Sequence, residues 1–250
     1  MPDSDLKRAA ALLARAQHGL ALTGAGVSAE SGIPTFRGEG GLWTRYDPVK
    51  VASIDSFLAD PSAYWAVSKE RGGVALAARP NPGHVALAAL EAAGHLVAVV
   101  TQNTDGLHQD SGSQHVIELH GSGRSVECLD CGRREPRADV QARLEVEMPP
   151  RCRHCGGLVL KPTVVLFGEP MPQEAIEAAF ALASEADVML VVGTSLVVFP
   201  AADVPLVALR SGARMVVVNA EPTPFDRLAE VVIHGRSGEI LPELVSLIGA

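Results

Sequence analysis

The chain has 250 residues, of which 47% are hydrophobic and 20% charged. This is ordinary for a globular enzyme, and the length suffices for one large domain with a small appendage. A net charge of −8, with no basic run or stripe, argues against nucleic acid as a partner, and no apolar run is long enough to span a bilayer. An acidic surface suits lysine-bearing partners, although solubility alone is the simpler reading of the charge.

Taken in chain order, Met1 to Ala16 interleave Lys7, Arg8 and Arg15 with leucines. Leu6, Ala9, Ala10 and Leu13 recur at helical spacing and predict an amphipathic helix. The segment lacks the uninterrupted apolar core of a signal peptide, so the expected location is cytoplasmic. Leu20 to Leu22 then read as a short buried strand. Gly24, Gly26 and Ala29 follow it as a G-x-G-x-x-G/A turn, whose backbone approaches a pyrophosphate at a helix start. A redox Rossmann unit would continue with a long helix and a strand ending in an acidic residue. Here Gly32 and Pro34 break the helix at once. Asp47, at about the right distance, sits in a Gly/Pro-flanked loop with no strand before it. A dinucleotide site is expected; hydride transfer is not.

Residues 38–82 carry Trp43, Tyr46, Phe57, Tyr64 and Trp65 and read as a helical insertion. Beyond it, buried parallel strands are predicted at Leu96–Thr101, Val116–Leu119, Thr163–Phe167, Val188–Val192 and Met215–Asn219. An edge strand is expected at Val231–Ile233. Helical patterns at Gly83–Ala93, Gln173–Glu185 and Ala201–Ser211 alternate with these strands. Such alternation implies an α/β fold built on a doubly wound parallel sheet.

All four cysteines lie in two pairs, Cys128-x-x-Cys131 and Cys152-x-x-Cys155, separated by a spacer. This is the pattern of a structural zinc site. Four thiolates complete a tetrahedron and leave no open position, so the metal's expected role is structural. Disulfides do not suit a chain without an export signal, and a redox C-x-x-C needs only one pair. His154 is read as a solvated turn residue. The expected organisation is a Rossmann-like domain from residues 1–37, 83–120 and 161–250. A smaller domain combines the helical insertion 38–82 with the zinc module 121–160.

Polar residues gather where the strands end, the usual place for a site in such a sheet. Gln102, Asn103 and Asp105 follow one strand, and His120 follows the next. Gly193, Thr194 and Ser195 follow a third, and Asn219 ends a fourth. Asn103 and Asp105 also suit a helix cap, and a lone histidine is often structural, but four convergent strand ends favour a functional reading.

These motifs resemble the sirtuin family of NAD-dependent protein-lysine deacylases. The resemblance rests on Gly24-Ala-Gly-Val-Ser28, Gly32-Ile-Pro34 with Phe36-Arg37, and Thr101-Gln-Asn103 with Asp105, Leu107 and His108. It continues through Leu119-His-Gly121, the cysteine quartet, Phe167-Gly-Glu169, Gly193-Thr-Ser-Leu196 and Pro200-Ala-Ala202. It spans residue 20 or so to the C-terminus. It implies that NAD is consumed as a co-substrate. The acyl oxygen of an acylated lysine, in a protein or peptide, attacks C1′ of the nicotinamide ribose, and nicotinamide leaves. Holding the reactants at near-attack distance supplies much of the rate, and water must be kept out.

The resemblance makes His120 the general base toward a ribose hydroxyl, a role that suits its near-neutral pKa. Asn103 then positions the ribose or a water, Gln102 the ribose, and Asp105 the nicotinamide carboxamide. Ala25, Ala29, Phe36 and Arg37 line the NAD loop, with Phe36 shielding C1′. Gly193, Thr194, Ser195 and Asn219 hold the adenosine end, together with Ala220, Glu221 and Ser237. Val165 and Phe167 flank a substrate that pairs in extended form. Three positions depart from the family pattern. Thr35 and Thr104 stand where Asp and Ile or Val are commoner. The Tyr-x-x-Arg of the desuccinylating branch is absent, its place matching Ser68 and Arg71, so acetyl is expected to outrank succinyl. Two rival readings are a protein mono-ADP-ribosyltransferase and a zinc-ribbon binding module with a degenerate nucleotide domain.

Overall fold

The computed structural model describes residues 2–38 and 40–249; Met1, the first residue of the expected N-terminal helix, lies outside them. The chain opens with helix α1 (Pro2–Ala14) and strand β1 (Gly19–Thr23), followed by a 3-10 turn, Ala25–Ser31. The insertion folds as α2 (Pro48–Ala52), α3 (Ile54–Ala59) and α4 (Pro61–Ala77). Each has a side-chain cap, from Asp47, Ser53 and Asp60, and Pro48 and Pro61 occupy the first helical turn, where a missing N–H costs nothing. Then come α5 (Pro82–Ala92), β2 (Ala98–Thr101), the single turn α6 (Leu107–Asp110) and β3 (Val116–Glu118).

The cysteine region supplies β4 (Gly121–Cys128), β5 (Arg134–Pro136), α7 (Arg137–Arg143) and β6 (Leu160–Val164). The C-terminal part runs α8 (Gln173–Glu185), β7 (Val188–Val192), α9 (Asp203–Arg210), β8 (Arg214–Asn219), β9 (Val231–His234) and α10 (Ser237–Ile248). Six strands form one parallel sheet in the order β3-β2-β1-β7-β8-β9. The order reverses between β1 and β7, which makes their carboxyl ends the switch point where such sheets bind ligands.

Period-two alternation sorts each central strand between two cores. Ala21, Leu190, Val216 and Val218 pack toward α1, α5 and α10. Leu20, Leu22, Met189, Met215 and Val217 pack toward α8 and α9. A third core, with Phe57, Trp65, Val126, Val140, Leu160 and Leu166, joins the insertion to the cysteine region. The Trp65 indole donates to the Leu160 carbonyl at 3.1 Å across that junction.

One expected strand is misplaced. Thr163–Phe167 is not a buried strand of the parallel sheet. Leu160–Val164 instead pairs antiparallel with β4 in a separate three-stranded sheet, order β5-β4-β6. Pro162 lacks an N–H and suits an edge strand. Thr163 to Val165 are only half-buried and Phe167 is exposed, so this apolar run does not have the two covered faces that a central parallel strand needs. The segment expected to open the large domain at residue 161 therefore begins inside the small sheet. Helix α10 was hidden in the sequence by Pro242 within it, although Leu241, Leu244, Val245 and Ile248 carry helical spacing.

Candidate active site

The switch point is built from glycine backbone. The Gly24 amide donates to the Val192 carbonyl at 3.1 Å and the Gly26 amide to the Gly193 carbonyl at 2.7 Å. A Cβ on Gly26 would lie 2.7 Å from the Gly193 Cα and 2.8 Å from its oxygen. Gly193 itself has φ 59°, and its Cβ would stand 2.4 Å from the Val27 nitrogen. Two chain segments interlock here at a spacing that excludes any side chain. Beside them, the Gln102 amide group donates to the Thr194 hydroxyl at 2.9 Å. Ser195 is exposed on the same loop.

Beneath the loop lies a polar network. Asn103 Nδ2 donates to the Gly24 carbonyl at 3.1 Å and to Ser28 Oγ at 3.0 Å. Ser28 Oγ donates to Asp105 at 2.7 Å. His84 Nδ1 accepts from the Asn81 amide at 3.3 Å, which leaves its Nε2 proton facing Ser28 Oγ at 3.4 Å. One hydroxyl thus uses its donor and both lone pairs. The second carboxylate oxygen of Asp105 caps the Leu107 amide at 2.9 Å, which is the helix-cap role the sequence allowed it. Deeper still, His108 faces Thr23 Oγ1 at 2.9 Å and packs tilted against His84, with ring centroids 4.9 Å apart. Burial drives the His108 pKa down to about 3, and burial also lowers His84.

The importance of Ser28 and His84 went unread in the sequence. Ser28 closes the Gly24–Ser28 motif, where a serine alone does not disclose its partners. The available signal for His84 was the run Asn81-Pro-Gly-His84, a capping box that opens α5 beside the site.

His120 leaves β3 at the same sheet end. Its Nδ1 lies 2.9 Å from the Gln102 carbonyl. A carbonyl only accepts, so Nδ1 carries the proton and Nε2 keeps a free lone pair. Burial lowers the His120 pKa, partly offset by that hydrogen bond. The ring is therefore neutral at physiological pH, the state a general base needs. The His120 carbonyl accepts from the Val165 amide at 2.8 Å. Phe167 is clasped by the insertion: its amide donates to Ala52 and its carbonyl accepts from Ile54, both at 2.9 Å. Phe36 packs against Trp43 with centroids 5.3 Å apart, and Trp43 packs against Phe167 at 6.0 Å. Trp43 thus bridges Phe36 and Phe167, with Arg37 exposed beside Phe36.

The other predicted residues lie along the adjoining strand ends. Ala25 and Ala29 are on the glycine turn, half-buried and exposed respectively. Asn219 ends β8 and donates to the Glu221 carbonyl at 2.6 Å, with Ala220 between them. Ser237 is buried at the start of α10, where the next amide, Gly238, donates to Glu30 at 2.8 Å.

The four cysteine sulfurs lie within 4.8 Å of one another. Cys128 and Cys155 are 3.6 Å apart, and Cys131 and Cys152 are 3.7 Å apart. A tetrahedron with Zn–S bonds near 2.3 Å has S···S edges of about 3.8 Å, whereas a disulfide needs about 2.05 Å. The quartet fits a structural zinc ion.

The family model described as the Sir2 family matches residues 24–200. The chain belongs to the Sir2 family. It is 49% identical over 243 residues to NAD-dependent protein deacylase 2 of Archaeoglobus fulgidus, covering 97% of this chain and 96% of that one. To NAD-dependent protein deacylase 2 of Pyrobaculum aerophilum it is 53% identical over 234 residues, covering 94% and 92%. Among solved structures, a Sir2 protein with a deacetylated p53 peptide and 3′-O-acetyl ADP-ribose is 41% identical. It superposes with a TM-score of 0.93 over 96% of this chain and 97% of that one.

Proposed function

We propose that this Sir2-family chain is a cytoplasmic NAD-dependent protein-lysine deacylase, with His120 as its general base. The observation that carries the reading is the contact of His120 Nδ1 with the Gln102 carbonyl, which assigns the tautomer. Its Nδ1 proton is held by the Gln102 carbonyl, so Nε2 is left to take a proton from a ribose hydroxyl. Bound NAD supplies an activated ribose carbon and a nicotinamide leaving group. The chain supplies the rest. The glycine turn at Gly24 and Gly26, with Ala25, Ala29 and the Gly193–Ser195 loop, holds the pyrophosphate and adenosine, and Asn219 to Glu221 and Ser237 close that end. Gln102, Asn103 and Asp105 orient the ribose and carboxamide, and Ser28 fixes Asn103 and Asp105 to one another. Phe36 and Arg37 cover the reacting carbon and keep water out. The acylated lysine enters past Val165 and Phe167. Zinc on Cys128, Cys131, Cys152 and Cys155 holds the small sheet.

Uncharged acyl groups outrank succinyl in this reading. The Ser68 hydroxyl accepts from Arg137 at 2.6 Å, and Arg71 donates to the Pro34 carbonyl at 3.2 Å. Arg71 keeps further N–H donors, but the residue three before it is a serine already engaged by Arg137, so the paired phenol and guanidinium that would clamp an acyl carboxylate are not both present. The test incubates one peptide, acetylated or succinylated, with and without NAD, and follows nicotinamide and peptide mass. NAD-dependent loss of acetyl, faster than loss of succinyl, is expected. ADP-ribose gained by a protein acceptor without acetyl loss would replace this reading with a transferase.

A further inference from the structure

Lys161 is a buried cation on an edge strand, 8% exposed, and none of the chemistry above uses it. Its ammonium meets Glu169 Oε2 at 2.9 Å, the Val164 carbonyl at 2.7 Å and the Pro162 carbonyl at 3.3 Å. Three donors thus find three acceptors, all within residues 162–169. Glu169 Oε2 also accepts from the Leu166 amide at 2.8 Å, and the Glu169 amide donates to the Leu166 carbonyl at 3.0 Å. The pair therefore absorbs both main-chain groups of Leu166 and the carbonyl of Val164.

The groups it does not absorb are informative. Val165 is bonded to His120, and Phe167 to Ala52 and Ile54. Among the described residues, the amide and carbonyl of Gly168 have no hydrogen-bond partner, and Gly168 is exposed with φ 91°. These two Gly168 groups are thus left open to bond a second chain, three residues from Val165, whose amide is held by the His120 carbonyl. A buried ion pair is poor evidence for stability, because its desolvation offsets much of its attraction and an apolar substitute often does as well. Its geometry is better evidence: it is spent entirely on the shape of this edge.

We infer that Lys161 and Glu169 form a positioning pair that sets the 165–169 edge for the acylated peptide, in register with His120. This rests on the reading that the peptide pairs along that edge.

Steady-state kinetics with acetylated peptide and NAD varied separately test it, on Lys161→Met, Lys161→Arg, Glu169→Gln and Phe167→Ala. Removing a charge-assisted contact in Lys161→Met or Glu169→Gln is expected to raise peptide KM about tenfold, with kcat and NAD KM within about twofold. Lys161→Arg should restore most of the affinity. Phe167→Ala reports on the edge itself. Should Phe167→Ala raise peptide KM while Lys161→Met and Glu169→Gln leave it unchanged, the pair has no positioning role although the edge reading stands. Should Phe167→Ala leave peptide KM unchanged, the edge reading fails and the pair's role fails with it. A fall in kcat, NAD affinity and melting temperature together in Lys161→Met, with Glu169→Gln unaltered, would make Lys161 merely structural and overturn the inference.

Discussion

The proposed cofactor end and the proposed peptide edge of this molecule are held by different physics. At the cofactor end, Gly24 and Gly26 meet Val192 and Gly193 through main-chain bonds of 3.1 and 2.7 Å, with no room for one added carbon. At the peptide edge, main-chain bonds of Val165 and Phe167 are joined by side chains reaching across the chain: Trp43 between Phe36 and Phe167, and Lys161 on Glu169. The first region is specified by what glycine lacks, and the second by partners that single substitutions can tune. His120 joins them, its ring bonded to Gln102 on one side and its carbonyl to Val165 on the other.

Removing the metal separates the two regions most drastically. Structural zinc binding is worth roughly 10–16 kcal/mol in small metal-folded peptides, comparable to the whole stability of a typical domain. Chelation should unfold the small sheet and abolish turnover, while the six-stranded sheet keeps NAD-dependent protection from heat. Circular dichroism and thermal melts with and without NAD, on protein verified metal-free, read both effects. Unchanged melting and turnover would mean that the cysteines need no metal.

Next in size is the junction. His120→Ala should lower kcat/KM by about 10²–10⁴-fold, the usual contribution of a positioned base, with NAD binding intact by calorimetry. Near wild-type turnover would remove His120 from the mechanism. A smaller effect, confined to one region, is expected from Gly26→Ala. The new Cβ meets Gly193 backbone that cannot swing aside, and overpacking of this kind costs about 1–3 kcal/mol. NAD KM should rise about tenfold, since each 1.4 kcal/mol is a factor of ten, with peptide KM unchanged. A rise in peptide KM alone would reverse the assignment of the two regions.

This contrast also explains what the sequence revealed. The glycine turn, the strand-end polar residues and the cysteine quartet are local patterns, and their spacing follows directly from backbone geometry. Thr163–Phe167 was harder, because an apolar run of that length looks alike in a parallel core and beside a small antiparallel sheet such as that of Leu160–Val164. Only its pairing with β4, set by contacts distant in sequence, decides. The Ser28 network was hidden for the same reason: His84 and Asn103 lie 56 and 75 residues from Ser28. Pro242 disguised α10, whose apolar face was otherwise readable.

The smallest effect probes the buried side of the cofactor end by pH. The His108 pKa falls from an ordinary 6.5 to about 3 in the fold, through burial and then the proximity of His84. Above pH 6.5 neither folded nor unfolded protein protonates it, and stability is unaffected. Below 6.5 the unfolded chain takes up a proton that the native state refuses until about pH 3. Stability must therefore fall as pH drops through that window, by at most about 1.4 kcal/mol per unit from this group. Urea titrations at pH 7.5, 6.0 and 5.0 measure the slope. His108→Gln, which retains a donor toward Thr23, should flatten it. An unaltered slope would assign the acid sensitivity to the other buried histidines, His84 and His120, whose pKa values burial also lowers.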